Sequence, residues 1–270
     1  KYDKKIVYYT HQITWDQFEE VASNFLKKFS NILKRLAIRA LNRCDLILIP
    51  YHQLEEDLIK EGVTAEIKLA RLGIDINRFS PAQNKNIIKT KLKLPHKKII
   101  GYVGRISQEK NTLTLLDAFN KLYPERFFLL MVGDGQPEIV EKFKQNHNCL
   151  VTGFVDNVET YLRAMDAFVM PSLTETTSLA TLEAMSCGLP VIVTKVGFMK
   201  EYVVKDHNGL FFPRENPSHL ALKIEMLFRE GELRDKISKN ARRTVAYSFS
   251  WERSINKIKR ILFRLSLQQD

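Results

Sequence analysis

The chain has no run of about 18 or more apolar residues, and no apolar stretch follows its lysine-rich start, so neither a membrane-spanning helix nor a signal peptide is expected. Cysteine is scarce and odd in number: Cys44, Cys149 and Cys187 lie far apart, without CxxC or Cys/His metal spacing. They read as small buried hydrophobes in a reducing compartment, which fits a cytoplasmic protein. The glycine pattern VGDGQPE lacks the third glycine of GxGxxG, which argues against a nicotinamide or flavin cofactor. No GxxxxGK[ST] phosphate loop, HExxH helix, carboxylate/histidine cluster or GxSxG elbow occurs. P-loop chemistry, a bound metal and a serine nucleophile are therefore not expected.

What is present is a core-forming composition, 44% apolar over 270 residues, with a formal charge of +11. That length allows one large or two ordinary domains, and the charge favours a polyanionic partner: phosphate esters, an anionic membrane surface or nucleic acid. The cations concentrate on terminal helices, without the interleaved aromatics of a nucleic-acid surface, so nucleic acid is set aside. Residues 15–43 read as helix. From Val21 to Arg43 the cations Lys27, Lys28, Lys34, Arg35, Arg39 and Arg43 fall on one half of the wheel, and Leu26, Phe29, Leu33, Leu36 and Ala40 on the other. This pattern suits either a solvated face over a core or contact with an anionic lipid surface.

From Lys98 onward, short apolar strands (KIIGYVGR, RFFLLMVGDG, LVTGFV, DAFVMPS, PVIVTKVG, GLFFP) alternate with helical stretches. That order predicts βαβ units, a parallel sheet with helices on both faces and hence a Rossmann-like half. The irregular segment ending at Pro81 marks the expected domain boundary, and the chain from Asn216 reads as helix with a break near YSFSW.

Four features could do chemistry. His11 ends the strand KIVYYTH, where ligand crevices border open sheets. Arg105 ends KIIGYVGR, with Lys110 five residues on before a helix that Asn111 or Thr112 would cap. Both cations can reach a phosphate at the crevice. In PSLTETTSLATLEAMSCGLPVIVT (171–194), Glu175 is expected in a loop and Glu183 within the helix that follows, so the carboxylates flank a helix end. Its first backbone N–H groups, near Ser178 to Thr181, form an anion site.

The stretches GYVGRISQEKN, LLMVGDGQPE, GFVDNVETYLRAMDAFVMPS and ETTSLATLEAMSCGLPVI resemble the successive signatures of the family 4 retaining glycosyltransferases. The resemblance implies an α/β fold of GT-B type. Its parts would be a remnant of an N-terminal acceptor-side domain at 1–80, a Rossmann-like doubly wound donor domain at 81–249, and a terminal helix at 250–270 returning to the first domain. It implies transfer of a hexose from a UDP- or GDP-sugar, without a metal. Arg105 and Lys110 would bind the diphosphate, helped by the backbone at Gly104 and Leu179. Glu175 would hold hydroxyls of the transferred sugar, Glu183 the ribose, and the backbone at Phe154 and Val155 would border the base. His11 matches the family histidine close to the transferred sugar. Thr176-Thr177-Ser178 stand where many members have Gly-Phe-Gly and complete the donor-binding set. That difference resembles the subgroup acting on membrane lipids, which implies a protein peripheral at the inner face of the membrane; a soluble sugar or polysaccharide acceptor and a non-catalytic nucleotide-sugar-binding module are the alternatives. With only the last part of the N-terminal domain in this chain, the acceptor side is expected to be incomplete.

Overall fold

The structure, a computed structural model, describes residues 4–13 and 24–267, and its contacts divide the chain into two compact units. One comprises the residues up to Gly73 and those from Glu252 onward; the other is Ile74–Trp251.

In the first unit, β1 (Val7–Tyr9), β2 (Leu46–Ile49) and β3 (Ile67–Leu69) form a parallel sheet with β2 central. The uninterrupted apolar run Leu46–Ile49 is buried because both faces of the sheet are covered. Strand alternation sends Ile47 and Ile49 towards α1 (Asn24–Leu41) and α2 (His52–Lys60), where they meet Ala37, Ile38, Leu41, Leu54 and Leu58. Leu46 and Leu48 point the other way, against Ile258, Ile261 and Leu265 of the terminal helix Trp251–Leu267.

The expected basic helix over 21–43 is described from Asn24; its residues 21–23, like residues 15–20 of the wider helix, lie outside the described residues. Its packed side is Ala37, Ile38 and Leu41, whereas Ile32, Leu33 and Leu36 are exposed. Of the stripe that the wheel grouped as apolar, Leu33, Leu36 and Ala40 are exposed and do not belong to the side that meets the sheet. The helical pattern specifies amphipathicity, but the rotation of the helix about its axis is decided by which side chains fit over β2.

The second unit runs α3 (Lys85–Lys91), β4 (Lys98–Val103), α4 (Thr112–Phe119), β5 (Phe127–Val132), α5 (Pro137–Lys144), β6 (Cys149–Val151), α6 (Val158–Ala164), β7 (Ala167–Met170), α7 (Leu179–Ser186), β8 (Val191–Thr194), α8 (Met199–Tyr202), β9 (Leu210–Phe212), α9 (Pro217–Arg229) and α10 (Gly231–Ser248). Its six strands are all parallel in the order β6-β5-β4-β7-β8-β9. The chain builds outward from β4 to β6, then returns to the other side of β4 for β7. Right-handed crossovers run in opposite directions on the two sides and so place their helices on opposite faces. The reversal leaves a crevice outside the carboxyl ends of β4 and β7, the position where such sheets hold ligands.

The segment Ile74–Ser80, read from the sequence as the end of the first domain, makes its hydrogen bonds within the second unit. Ile74 N–H donates to the Phe249 carbonyl at 2.7 Å, and the Arg242 guanidinium donates to the carbonyls of Ile76 and Phe79 at 3.0 and 2.9 Å. The Arg163 guanidinium donates to the Ser80 carbonyl at 3.0 Å. Among the described residues no helix is long and apolar enough to cross a membrane. The cysteines are free, and burial pushes the Cys149 and Cys187 thiols up to about 12.

Candidate active site

β4 delivers Gly104 and Arg105 to the crevice. The turn is held by the fully buried Tyr102, whose hydroxyl donates to the Arg105 carbonyl at 2.7 Å. Burial, and next the charge of Glu175, raises this phenol well above its usual range, so it acts as a neutral donor. The loop after β5 runs alongside, with Ile106 N–H donating to the Asp134 carbonyl at 2.8 Å. Gly133 makes this approach possible: its φ is +136°, and a Cβ there would lie 2.1 Å from the Gly104 carbonyl oxygen. Between these loops and the one after β6 lies a cleft of about 330 Å³ lined by Gly104, Arg105, Asp134, Phe154, Val155 and Val158. Its lining is largely apolar, and the Phe154 ring at its edge is 86% exposed.

The neighbouring strand, β7, delivers the loop Pro171–Ser178, which is bonded directly to the loop after β4. Leu173 N–H donates to the Glu109 carbonyl, and the Asn111 side-chain amide donates to the Pro171 carbonyl, each at 3.1 Å. Of the two residues offered as the cap of α4, Asn111 and Thr112, Asn111 stands at the N-cap, with a left-handed backbone (φ 51°). Its side chain caps no backbone amide: Oδ1 accepts from Thr114 Oγ at 2.8 Å, and the side-chain amide ties the loops after β4 and β7 together.

That junction places Lys110 against Glu175. Lys110 Nζ donates to Glu175 Oε1 at 2.8 Å and Ser172 Oγ donates to the same oxygen at 2.9 Å, with the carboxylate 8% and the lysine 21% exposed. Oε2 makes no hydrogen bond among the described residues. Arg105 is different: 65% exposed, it is paired at 2.9 Å with Glu109, itself 51% exposed. An exposed pair of this kind contributes about 0–1 kcal/mol and exchanges easily for another anion.

Glu175 lies before α7 and Glu183 within it, so the two acids flank the helix end as the spacing predicted. Ser178 occupies the N-cap with φ 40°, a left-handed conformation that favours glycine. Its hydroxyl pairs with Thr181 Oγ at 2.8 Å and does not cap a backbone amide. Thr181 N–H donates to the Ser178 carbonyl at 3.1 Å, so of the expected anion site the N–H groups without an acceptor in the helix are those before it, at Leu179 and Ala180. Beside them the Thr177 hydroxyl is buried without a hydrogen-bond partner among the described residues, a condition costing about 1–3 kcal/mol. Thr176 contributes its carbonyl, which accepts from Phe198 N–H at 3.0 Å. Burial raises Glu183 to about 7, partly offset by the positive charge of Arg78 and reinforced by Glu159.

The structure thus gathers Gly104, Arg105, Phe154 and Val155 along one cleft, and Lys110, Glu175, Thr176, Thr177, Ser178 and Leu179 at the junction beside it. His11 belongs to the first unit, at the exit of β1, largely exposed beside the Tyr9 ring (centroids 4.8 Å apart), where partial burial lowers its pKa. Sequence reasoning missed Ser172, Glu109 and Gly197. Gly197 stood at the end of the expected strand PVIVTKVG, whereas β8 ends at Thr194; Ser172 and Glu109 carry no local signal. Among the described residues no group of three or more His, Cys, Asp or Glu is placed to hold a metal ion.

Residues 83–244 match the model of the family described as "Glycosyl transferases group 1". The chain is 32% identical over 233 residues to the sulfoquinovosyl transferase SQD2 of Arabidopsis thaliana, covering 82% of this chain and 45% of that protein. It is 30% identical over 236 residues to the Escherichia coli UDP-Gal:alpha-D-GlcNAc-diphosphoundecaprenol alpha-1,3-galactosyltransferase, covering 80% of this chain and 60% of that one. It therefore spans about half the length of these relatives. Of solved structures, Anabaena Alr3699/HepE in complex with UDP superposes with a TM-score of 0.84 at 22% identity, over 97% of this chain and 72% of the other, which shows a shared fold.

Proposed function

The chain belongs to the group 1 glycosyl transferases, with their Rossmann-like α/β fold of GT-B type, and on that premise we propose that its second unit holds a UDP- or GDP-linked hexose for retaining transfer. The observation that carries this reading is the Lys110–Glu175 pair where β4 and β7 part, beside the uncapped start of α7. The base fits the apolar cleft under Phe154 and Val155, and Glu183 accepts from the ribose hydroxyls. The diphosphate lies between Arg105, Lys110 and the α7 amides, and the hydroxyl of Thr177 gains an acceptor there. Glu175 accepts sugar hydroxyls through Oε2.

The difficult step is breaking the bond between the anomeric carbon and the β-phosphate oxygen, whose electron pair stays on the departing diphosphate. Preorganised donors aimed at that oxygen lower the barrier, each contributing about 2.7–4 kcal/mol. These cations supply the charge that a divalent ion would otherwise provide. Glu175 is assigned as a positioning acid for the sugar hydroxyls, its Oε1 fixed by Lys110 and Ser172; a trapped glycosyl-enzyme on Glu175 would overturn that role. His11 enters on the resemblance alone.

Calorimetry and crystal soaks with UDP, GDP and ADP test the donor site. UDP or GDP should bind with its phosphates on Arg105 and the start of α7, and EDTA should leave turnover of the whole protein unchanged. Absence of binding by all three nucleotides would remove the proposal, and binding without transfer would make the protein a nucleotide-sugar-binding module.

For the acceptor, a lipid at an anionic membrane surface is favoured by the exposed stripe Ile32, Leu33 and Leu36 of α1, beside exposed Arg35, Arg39 and Arg43. Each cation near such a surface contributes about 1 kcal/mol. Co-sedimentation with vesicles containing anionic lipid should be strong at low salt and at least tenfold weaker for Leu36→Glu. Equal recovery with and without vesicles would favour a soluble saccharide acceptor.

A further inference from the structure

We propose that Arg78 is a positioning residue for the nucleoside half of the donor site, bracing the wall of the base cleft beside the ribose-binding carboxylate. The inference rests on the donor reading above.

Arg78 belongs to the irregular segment that opens the second unit and lines no part of the cleft itself. Its guanidinium nevertheless reaches the loop behind the cleft wall. Nε and NH2 donate to Glu159 Oε2 at 3.1 and 3.0 Å, and NH2 donates to the Asp156 carbonyl at 3.0 Å. Asp156 follows Val155 and Glu159 follows Val158, and both valines line the cleft. One side chain therefore staples the loop at both ends of the turn from Val155 to Val158.

The staple is itself anchored. Arg78 N–H donates to Asp75 Oδ1 at 3.0 Å, and its guanidinium carbon lies 5.3 Å from the Phe79 ring centroid. The carbonyls on either side are occupied: Arg242 takes those of Ile76 and Phe79, and Arg163 those of Arg78 and Ser80. A segment whose carbonyls are held by two arginines from α10 and α6 presents its own arginine in a defined place. The arrangement is more than a surface ion pair, because a carbonyl and a carboxylate are bound by one planar fork.

Charge also links Arg78 to the ribose side of the site. Arg78 and Glu159 are the two charged groups that act on Glu183, the first favouring its ionised form and the second opposing it. Cys187, just past the end of α7, is kept a neutral thiol chiefly by burial, which Arg163 and Arg242 oppose and Glu183 and Glu159 reinforce. Ribose hydroxyls donate to a carboxylate, so nucleotide binding favours ionised Glu183 and expels its proton. Affinity should therefore fall as pH drops below about 7, where Glu183 titrates, and level off above it. Without Arg78 that midpoint must move to higher pH.

The test is UDP binding by calorimetry from pH 6 to 8.5 for the whole chain, for Arg78→Gln and for Arg78→Lys, with thermal melts as a folding control. Arg78→Gln should bind UDP about tenfold more weakly at pH 7, with the midpoint raised by roughly half a unit or more. Arg78→Lys keeps the charge but not the fork, so it should restore the midpoint while remaining weaker than wild type. A purely structural role would lower affinity without moving the midpoint, and that result, or unchanged affinity in both variants, overturns the proposal. Failure of the wild-type chain to bind UDP, GDP and ADP alike removes the donor reading itself, which distinguishes the two failures.

Discussion

Lys110→Ala should lower hexose transfer from a nucleotide-sugar at least a hundredfold, in kcat as well as kcat/KM. Two losses combine at this one position. The first is a donor aimed at the charge that develops on the departing diphosphate, where removal of a single preorganised group costs about 2.7–4 kcal/mol of barrier. The second is the counter-ion of Glu175, a carboxylate that is 8% exposed and among the described residues is otherwise bonded to Ser172 alone. An unpaired buried charge costs about 3–5 kcal/mol, and the low end applies because Lys110 retains some exposure. A lower melting temperature, roughly 2–4 °C for each kcal/mol in a unit of this size, should accompany the rate loss. Lys110→Arg should recover much of the stability and less of the rate, since a planar fork does not reproduce a point charge at the same place. Steady-state kinetics and melts on the three proteins separate these effects. A Lys110→Ala enzyme with wild-type kcat/KM would remove this residue from the reaction.

Gly197→Ala should be nearly as damaging, although Gly197 bears no functional group. It adopts φ +51°, and a Cβ there would stand 1.7 Å from the Glu175 carbonyl oxygen and 3.1 Å from that of Thr176. The next residue, Phe198, donates its N–H to the Thr176 carbonyl at 3.0 Å, so β8's exit loop is the floor on which the Glu175 loop rests. Backbone meets backbone, and no rotamer change can relieve the contact. The loop carrying Glu175 has to move, and a displacement of about 1 Å at such a position commonly costs a hundredfold in rate. We expect a destabilisation of about 3 kcal/mol and a loss of donor affinity larger than that of Arg105→Ala, whose side chain is open and paired with the exposed Glu109. Calorimetry with UDP on both variants decides the order; stronger binding by Gly197→Ala than by Arg105→Ala would show that the floor tolerates the methyl group.

The two positions illustrate what was legible before the fold was known. Lys110 and Glu175 were both recognisable as crevice residues, because each follows a strand and a strand end is a local feature. Their contact was not, since 65 residues separate them and only the return of the chain to the far side of β4 makes β7 its neighbour. Gly197 stood at the end of an expected strand; that it underlies Glu175 depends on β8 lying beside β7.

The sequence by itself determined the alternation of strands and helices, the strand-end placement of Arg105 and Glu175, and the separation of Glu175 in a loop from Glu183 in a helix. Each follows from period, turn residues and burial propensity over a few residues, which are local physics. Tertiary structure alone decided the strand order that creates the crevice and the pairing of Lys110 with Glu175. It also decided the assignment of Ile74–Ser80 to the second unit, the exposed stripe Ile32–Leu36 on α1 and the reach of Arg78 to the wall of the base cleft. These depend on contacts between residues remote in the chain, where the choice among partners is made by packing and by the need to satisfy buried polar groups. A pattern of periods carries no information about which partner that will be.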